Sequence, residues 1–87
     1  MITEQELFLK NQKLSTEFDL YLAEHPEIED QMPDNALIVL LPEYDKELSK
    51  KNMGLAKRHR EPGQSVVYVR IDKLRISRLE GLRLQVA

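Results

Sequence analysis

The 87-residue chain has no cysteine and no tryptophan, only three glycines, and aromatic residues make up just 6% of it. Each scarcity excludes something. Without cysteine, neither disulfides nor thiolate metal sites can supplement the core, and the composition fits a reducing cytoplasm. Gly54, Gly63 and Gly81 are far apart and unrelated in spacing, so there is no glycine-rich phosphate loop. No apolar run approaches the roughly 18 residues that a membrane-spanning helix needs, so no membrane partner is expected. The first residues, Met1 to Glu6, are acidic and lack the basic-then-apolar order of a signal peptide. Internal repeats and low-complexity segments are absent too.

What the chain does have is charge, divided by position. Residues 1–47 hold twelve Asp/Glu against three Lys, a net of −9; residues 48–87 hold ten Lys/Arg against three Asp/Glu, a net of +7. The overall net charge of −2 hides this split. Such asymmetry points to a partner, or to a like chain packed head against tail. With 41% hydrophobic and 32% charged residues, the chain is a folded domain and not a disordered one. One domain over 1–87 is expected, with a core over 3–72 and a tail over 73–87. A domain this small buries about 60–65% of its unfolded surface, so a lone chain gains only modest stability.

Thr3 followed by Glu6 is a capping box, in which the Thr hydroxyl accepts from the Glu6 amide and the Glu6 side chain bonds back to the Thr3 amide. A helix is predicted from there to about Glu24. Leu7, Leu14, Phe18, Tyr21 and Leu22 share about 100° of its arc, a core-facing stripe. Ile2, Leu9 and Leu20 fall together on the opposite side, a thin seam for contact with another chain. Scattered surface apolars are the plainer account of it. His25-Pro26 ends the helix, Pro26 to Met32 suits a short second helix, and Pro33-Asp34-Asn35 is turn chemistry.

Ala36 to Leu41 is an unbroken apolar run of strand length that does not alternate, as in a parallel strand buried on both faces. Pro42 stops it. Asp45 is the N-cap of a third helix, with Glu47 in its first turn. Tyr44, Leu48, Leu55 and Ala56 form the apolar face of this helix, which runs to about Arg60 before Pro62-Gly63. Ser65 to Ile71 is a second strand, apolar on both sides. Strand, helix and strand make a βαβ unit, whose crossover should be right-handed. In the tail, Leu74 and Ile76 alternate with Arg75, and Leu82, Leu84 and Val86 alternate with Arg83 and Gln85. Glu80-Gly81 lies between these two short amphipathic segments, which add a strand, a hairpin or an arm. The fold class is therefore α/β. Two strands this apolar need cover beyond the βαβ unit, from the tail or from a second chain, and a homodimer is the favoured state.

Candidate sites divide into polar core, carboxylates and cations. Asn11 and Asn52 each interrupt an apolar helix face. Buried amides must be hydrogen-bonded, so each bonds backbone or the two meet across the helix interface; a polar pocket floor is the functional alternative. His59 falls on the core side of the third helix, as a cap or a packing residue. Glu43 and Asp45 follow the first strand and Asp72 follows the second. Ligands in open α/β sheets bind beyond the carboxyl ends of the strands, and three carboxylates there could hold Mg²⁺ for phosphodiester cleavage. Each also has a plainer role as cap, loop residue or strand terminator, so no catalytic residue, metal or cofactor is assigned. Lys50, Lys51, Lys57, Arg58, Arg60, Arg70, Lys73, Arg75, Arg78 and Arg83 could track phosphates. Yet the sequence pI is about 5.7 and aromatic stacking platforms are missing, so nucleic acid is a possible partner but not the favoured one.

Several stretches carry a family resemblance. They are Leu14-Ser15-Thr16-Glu17-Phe18 with Tyr21-Leu22 and His25-Pro26-Glu27; Ile38 to Pro42; Asn52 with Leu55-Ala56; and Gly63 to Arg70. In order and spacing the chain resembles a family of small prokaryotic proteins of unknown function, over roughly residues 10–72. The resemblance implies a compact cytoplasmic α/β domain and brings no catalytic residues with it. The expected function is a non-enzymatic, dimeric protein-interaction or regulatory module. Its contacts would come from Ile2, Leu9 and Leu20 and from the tail residues Leu74, Ile76, Leu82, Leu84 and Val86. The alternatives are an Mg²⁺-dependent nuclease or phosphohydrolase, and a nucleic-acid-binding protein.

Overall fold

Local signals set the helices. In the computed structural model, which describes residues 2–75 and 78–87, helix α1 spans Glu4–Glu24. Thr3 Oγ1 accepts from the Glu6 amide at 3.1 Å. The reciprocal bond differs from the expected one, because the Thr3 hydroxyl itself donates to the Glu6 carboxylate at 3.2 Å. At the other end the His25 amide donates to Tyr21 O at 2.9 Å. The His25 ring stacks on Tyr21 with centroids 4.1 Å apart, and Pro26 opens α2 at once (Pro26–Glu29). This second helix is one turn long. It stops short of Met32 and passes into turns.

Strand β1 (Leu37–Pro42), helix α3 (Lys46–His59) and strand β2 (Val66–Arg75) follow, and strand β3 (Arg78–Val86) closes the chain. The sheet order is β1-β2-β3, with β1 and β2 parallel and β2 and β3 antiparallel. The α/β class thus holds, and the tail folds on its own chain as half of a hairpin. Two details of the tail differ from the sequence reading. Leu74 belongs to β2, which continues past Ile71, and Glu80-Gly81 lies inside one strand and not between two. Ile76 lies outside the described residues.

The sheet is covered on both faces. On one, Leu14 and Phe18 of α1 pack with Leu40, Leu48, Val67, Val69, Ile71 and Leu79. On the other, Val39, Leu41 and Val66 pack with Ala56 and Met53 of α3. Val67, Val69 and Ile71 are 0% exposed. Full burial of each such side chain contributes roughly 1.5–3 kcal/mol, which makes β2 the energetic centre of the domain. Tyr44 leaves this scheme. It precedes the Asp45 cap, so it sits in a turn and is exposed, off the α3 core face where periodicity placed it.

Gly81 is where the hairpin changes face. Apolar positions run Val67, Val69, Ile71 and then switch to Leu74; on β3 they run Leu84, Leu82 and then Leu79, and all of them pack on one cluster. Gly81 has φ +67, and a Cβ there would lie 2.2 Å from Asp72 Oδ2. Only glycine takes that backbone angle without steric cost and leaves room for the carboxylate.

Candidate functional site

Side chains alternate along a strand, and so do its peptide groups. The Leu37 amide donates to Ser65 O at 2.9 Å and the Glu43 amide to Ile71 O at 2.8 Å. Counting in twos, Leu37, Val39 and Leu41 turn their peptide groups to β2, while Ile38, Leu40 and Pro42 turn theirs to the open edge. Helix α3 and its N-cap bond two carbonyls of that edge. Asn52 Nδ2 donates to Leu40 O at 2.8 Å. Ser49 Oγ donates to Pro42 O at 2.6 Å, and the Asp45 amide reaches the same oxygen at 3.1 Å. Pro42 has no N–H to leave unpaired.

Asn52 is 7% exposed and also joins the helices. Its Nδ2 donates to Asn11 Oδ1 at 2.9 Å, and Asn11 Nδ2 donates back to Asn52 Oδ1 at 2.9 Å. The pair meets across the α1–α3 interface, and it floors a groove of about 230 Å³ walled by Ser15, Ile38, Leu55 and His59. His59 is exposed at the last turn of α3, because the helix end carries it beyond the sheet, and it does not enter the core as its spacing suggested.

The opposite edge is built differently. Val66 and Ala87 exchange both of their backbone bonds, at 3.4 and 2.8 Å. The same alternation turns Gln85 and Arg83 toward β2 and leaves Leu82, Leu84 and Val86 with outward peptide groups. Among the described residues no strand lies beyond β3. The side chains of Leu74, Leu82 and Leu84 pack partly against the α1 face of the core, so the tail presents its backbone and not its leucines. Val86 is 52% exposed. Of the α1 seam, Ile2 packs against the core, whereas Leu9 and Leu20 remain 53% and 45% exposed, with Phe8 nearby also exposed.

Only two of the three carboxylates come together. Arg83 bridges Asp72, at 2.7 Å, and Glu43. Asp45 faces elsewhere: it accepts from the Leu48 amide at 3.1 Å and from Lys10 Nζ at 2.9 Å. The Leu48 amide, and then Lys10, hold the Asp45 carboxyl below its ordinary pKa. Among the described residues no group of three His, Asp or Glu is placed to hold a metal ion. The shared-ion geometry of the nuclease reading is therefore not formed, because capping claims Asp45 and a guanidinium claims the other two.

The sequence reading passed over Glu17. It is 7% exposed beside Leu14 and Phe18, and its Oε2 has no hydrogen-bond partner among the described residues. A helical wheel puts it about 40° from Tyr21, at the margin of the apolar stripe, so the signal was available.

With this geometry in hand, the family match has a clear extent: residues 6–82 match a family model described as a family of unknown function (DUF5647). The chain belongs to the DUF5647 family. The match takes in nearly all of α1, all of the βαβ unit and the first five residues of β3, so the Asn11–Asn52 pair lies within the family domain while Arg83 to Val86 fall beyond the matched residues. Neither the curated proteins nor the solved structures yield a match. No helix among the described residues is long and apolar enough to cross a membrane.

Proposed function

We propose that this DUF5647 domain is a non-enzymatic protein-interaction module of the reducing cytoplasm, and that it acts as a homodimer joined through the β3 edge. One observation carries the reading: β3 is a nine-residue edge strand with no further strand beyond it among the described residues, whereas two outward carbonyls of the other edge are bonded by the segment from Asp45 to Asn52. A long open edge is a template for strand addition. A second copy is the natural occupant, because an isologous antiparallel pairing of β3 with β3 closes on itself and leaves no further edge of that kind. Val86, at the rim, would lose its exposure in such a pairing.

Hydrogen exchange measured at increasing protein concentration tests this directly. The Leu82, Leu84 and Val86 amides point outward, and the Arg83 and Gln85 amides point into the hairpin. Dimerisation through β3 slows the outward set as concentration rises and leaves the inward set slow throughout. Sedimentation over the same range should move from monomer to dimer. A dimer whose outward amides stay fast would overturn the β3 assignment, and a monomer at every concentration would overturn the dimer. Truncation after Asp72 is not a usable test, since it removes all of β3 and the end of β2.

A further inference from the structure

Beyond the carboxyl end of β1, between that strand and the first turns of α3, lies an open depression of about 430 Å³. Leu41 and Met53 form its floor, and Lys46, Lys50 and Arg70 stand around it. Two features set these cations apart from an ordinary solvated face. Arg70 and Arg83 are directly opposite in the β2–β3 register, and like charges so placed repel. The structure relieves only one of them. Arg83 takes both nearby carboxylates, Glu43 and Asp72. Arg70 is held by a neutral group, with its Nε at 3.1 Å and Nη2 at 2.9 Å from Gln85 Oε1. Gln85 fixes the guanidinium without neutralising it.

The lysines complete the set. Lys46 and Lys50 are four residues apart, hence neighbours on one face of α3. Neither makes an ion pair with a described residue. Glu43, the one acid lining the depression, is drawn to Arg83. Three cations thus converge uncompensated over an apolar floor, at the end of a parallel strand where α/β sheets receive ligands. The volume is within the range of small-molecule sites, roughly 300–1,000 Å³.

We propose that this depression binds a phosphate monoester with an apolar or aromatic body. The dianionic phosphoryl group would take the three cations, with Arg70 offering paired N–H groups, and the organic body would lie on Leu41 and Met53. The ligand would also remove the Arg70–Arg83 repulsion. This site is on the α3 side of the sheet and does not depend on self-association at β3.

Phenyl phosphate, inorganic phosphate and phenol serve as probes in an NMR titration that follows the Leu41, Lys50, Met53 and Arg70 amides. Phenyl phosphate should saturate these shifts, binding about tenfold more tightly than inorganic phosphate, and added salt should weaken it. Phenol should give none. Arg70→Gln and Lys50→Gln should each weaken phenyl phosphate about tenfold, as expected for loss of a charge-assisted contact, with thermal unfolding unchanged. Lys57→Gln, outside the depression, should change nothing. Equal binding of phenol and phenyl phosphate would overturn the anion assignment. Equal weakening by Lys57→Gln would show diffuse charge attraction in place of a site, and absence of saturable shifts would remove the proposal.

Discussion

The two edges of the sheet are built on opposite plans. At β1 two of the outward carbonyls are met: Asn52 takes Leu40 O, Ser49 and the Asp45 amide take Pro42 O, and proline supplies no donor. At β3 the outward groups of Leu82, Leu84 and Val86 meet no further strand among the described residues. A chain that left both edges bare would invite uncontrolled strand addition. Occupying part of one and keeping the other biases pairing toward a single edge, which is what a closed dimer needs and a fibre does not. The apolar core does not force this difference, since both strands pack on it. Side chains of α3 create it.

The largest expected effect therefore comes from the residue that closes β1. Asn52→Ala would strand Leu40 O and leave the half-buried Asn11 without its partner, two unpaired polar groups in place of a satisfied trio. Each orphan costs roughly 1–3 kcal/mol, so urea unfolding should show a loss of about 3 kcal/mol. The variant should also self-associate more readily, because its second edge is partly reopened. Asn11→Ala breaks only the helix–helix half of the network and should cost about 1 kcal/mol. If the two variants lose the same amount, the Leu40 contact contributes nothing and β1 is closed by the bulk of α3 alone.

Gly81 tests the other edge. Alanine there must hold a left-handed backbone angle, at roughly 1–2 kcal/mol, and its Cβ meets the Asp72 carboxylate. A loss of about 2 kcal/mol on thermal or urea unfolding is expected. Asp72→Ala in the same chain removes the carboxylate but keeps a Cβ 2.6 Å from the new one, so it should restore only a minor part, and none of the backbone share. Full restoration would mean that crowding, and not backbone angle, requires glycine.

These two sites differ in how far the sequence disclosed them. Asn11 and Asn52 stood out because an amide in an apolar helix stripe demands a partner, and their meeting was one of the two outcomes that physics allowed. The bond from Asn52 to Leu40 O was not legible, because it depends on where α3 lies over the strand. Gly81 was legible as a special residue and was misplaced as a turn, since Glu80-Gly81 has turn chemistry, while the connection between Arg75 and Arg78 carries neither glycine nor proline. Unbroken apolar runs revealed β1 and β2, and Thr3 and Asp45 marked the helix starts. The cation set around Arg70 was visible only as scattered charge; the cross-strand register sorts out which guanidinium is neutralised. The same limit applied to the carboxylates Glu43, Asp45 and Asp72. Their order along the chain suggested one site; Arg83 joins Glu43 and Asp72, while Lys10 and the Leu48 amide hold Asp45 apart.

Asp45 links charge to the closed edge. Its carboxyl is held below the ordinary value of 3.8, first by the Leu48 amide and then by Lys10. A group with a depressed folded pKa contributes stability in full above its unfolded pKa, and that contribution is lost as pH falls through the folded pKa. Asp45→Ala should cost about 1 kcal/mol at neutral pH, the usual worth of an N-cap. The gap from the parent chain should narrow as pH drops below 3.8. Because Asp45 also anchors the turn that reaches Pro42 O, amide exchange of Leu48 and Ser49 should quicken in the variant. A pH-independent gap would assign the loss to packing of the turn instead.

The smallest expected change in stability is also the sharpest test of the contrast between edges. Val86 is exposed, and its amide points away from β2, so Val86→Pro removes an outward donor without cutting the β2–β3 ladder. Proline is tolerated on edge strands for this reason. Unfolding of the monomer should shift by no more than about 0.5 kcal/mol, as for other surface substitutions. If β3 pairs with β3, each dimer loses two bonds at the rim and gains two steric blocks, and sedimentation should show the dimer weakened at least about tenfold. A dimer unaffected by Val86→Pro but broken by a charge at Leu9 or Leu20 would move the contact from the sheet edge to the exposed face of α1. The outer edge of β3 would then need another occupant.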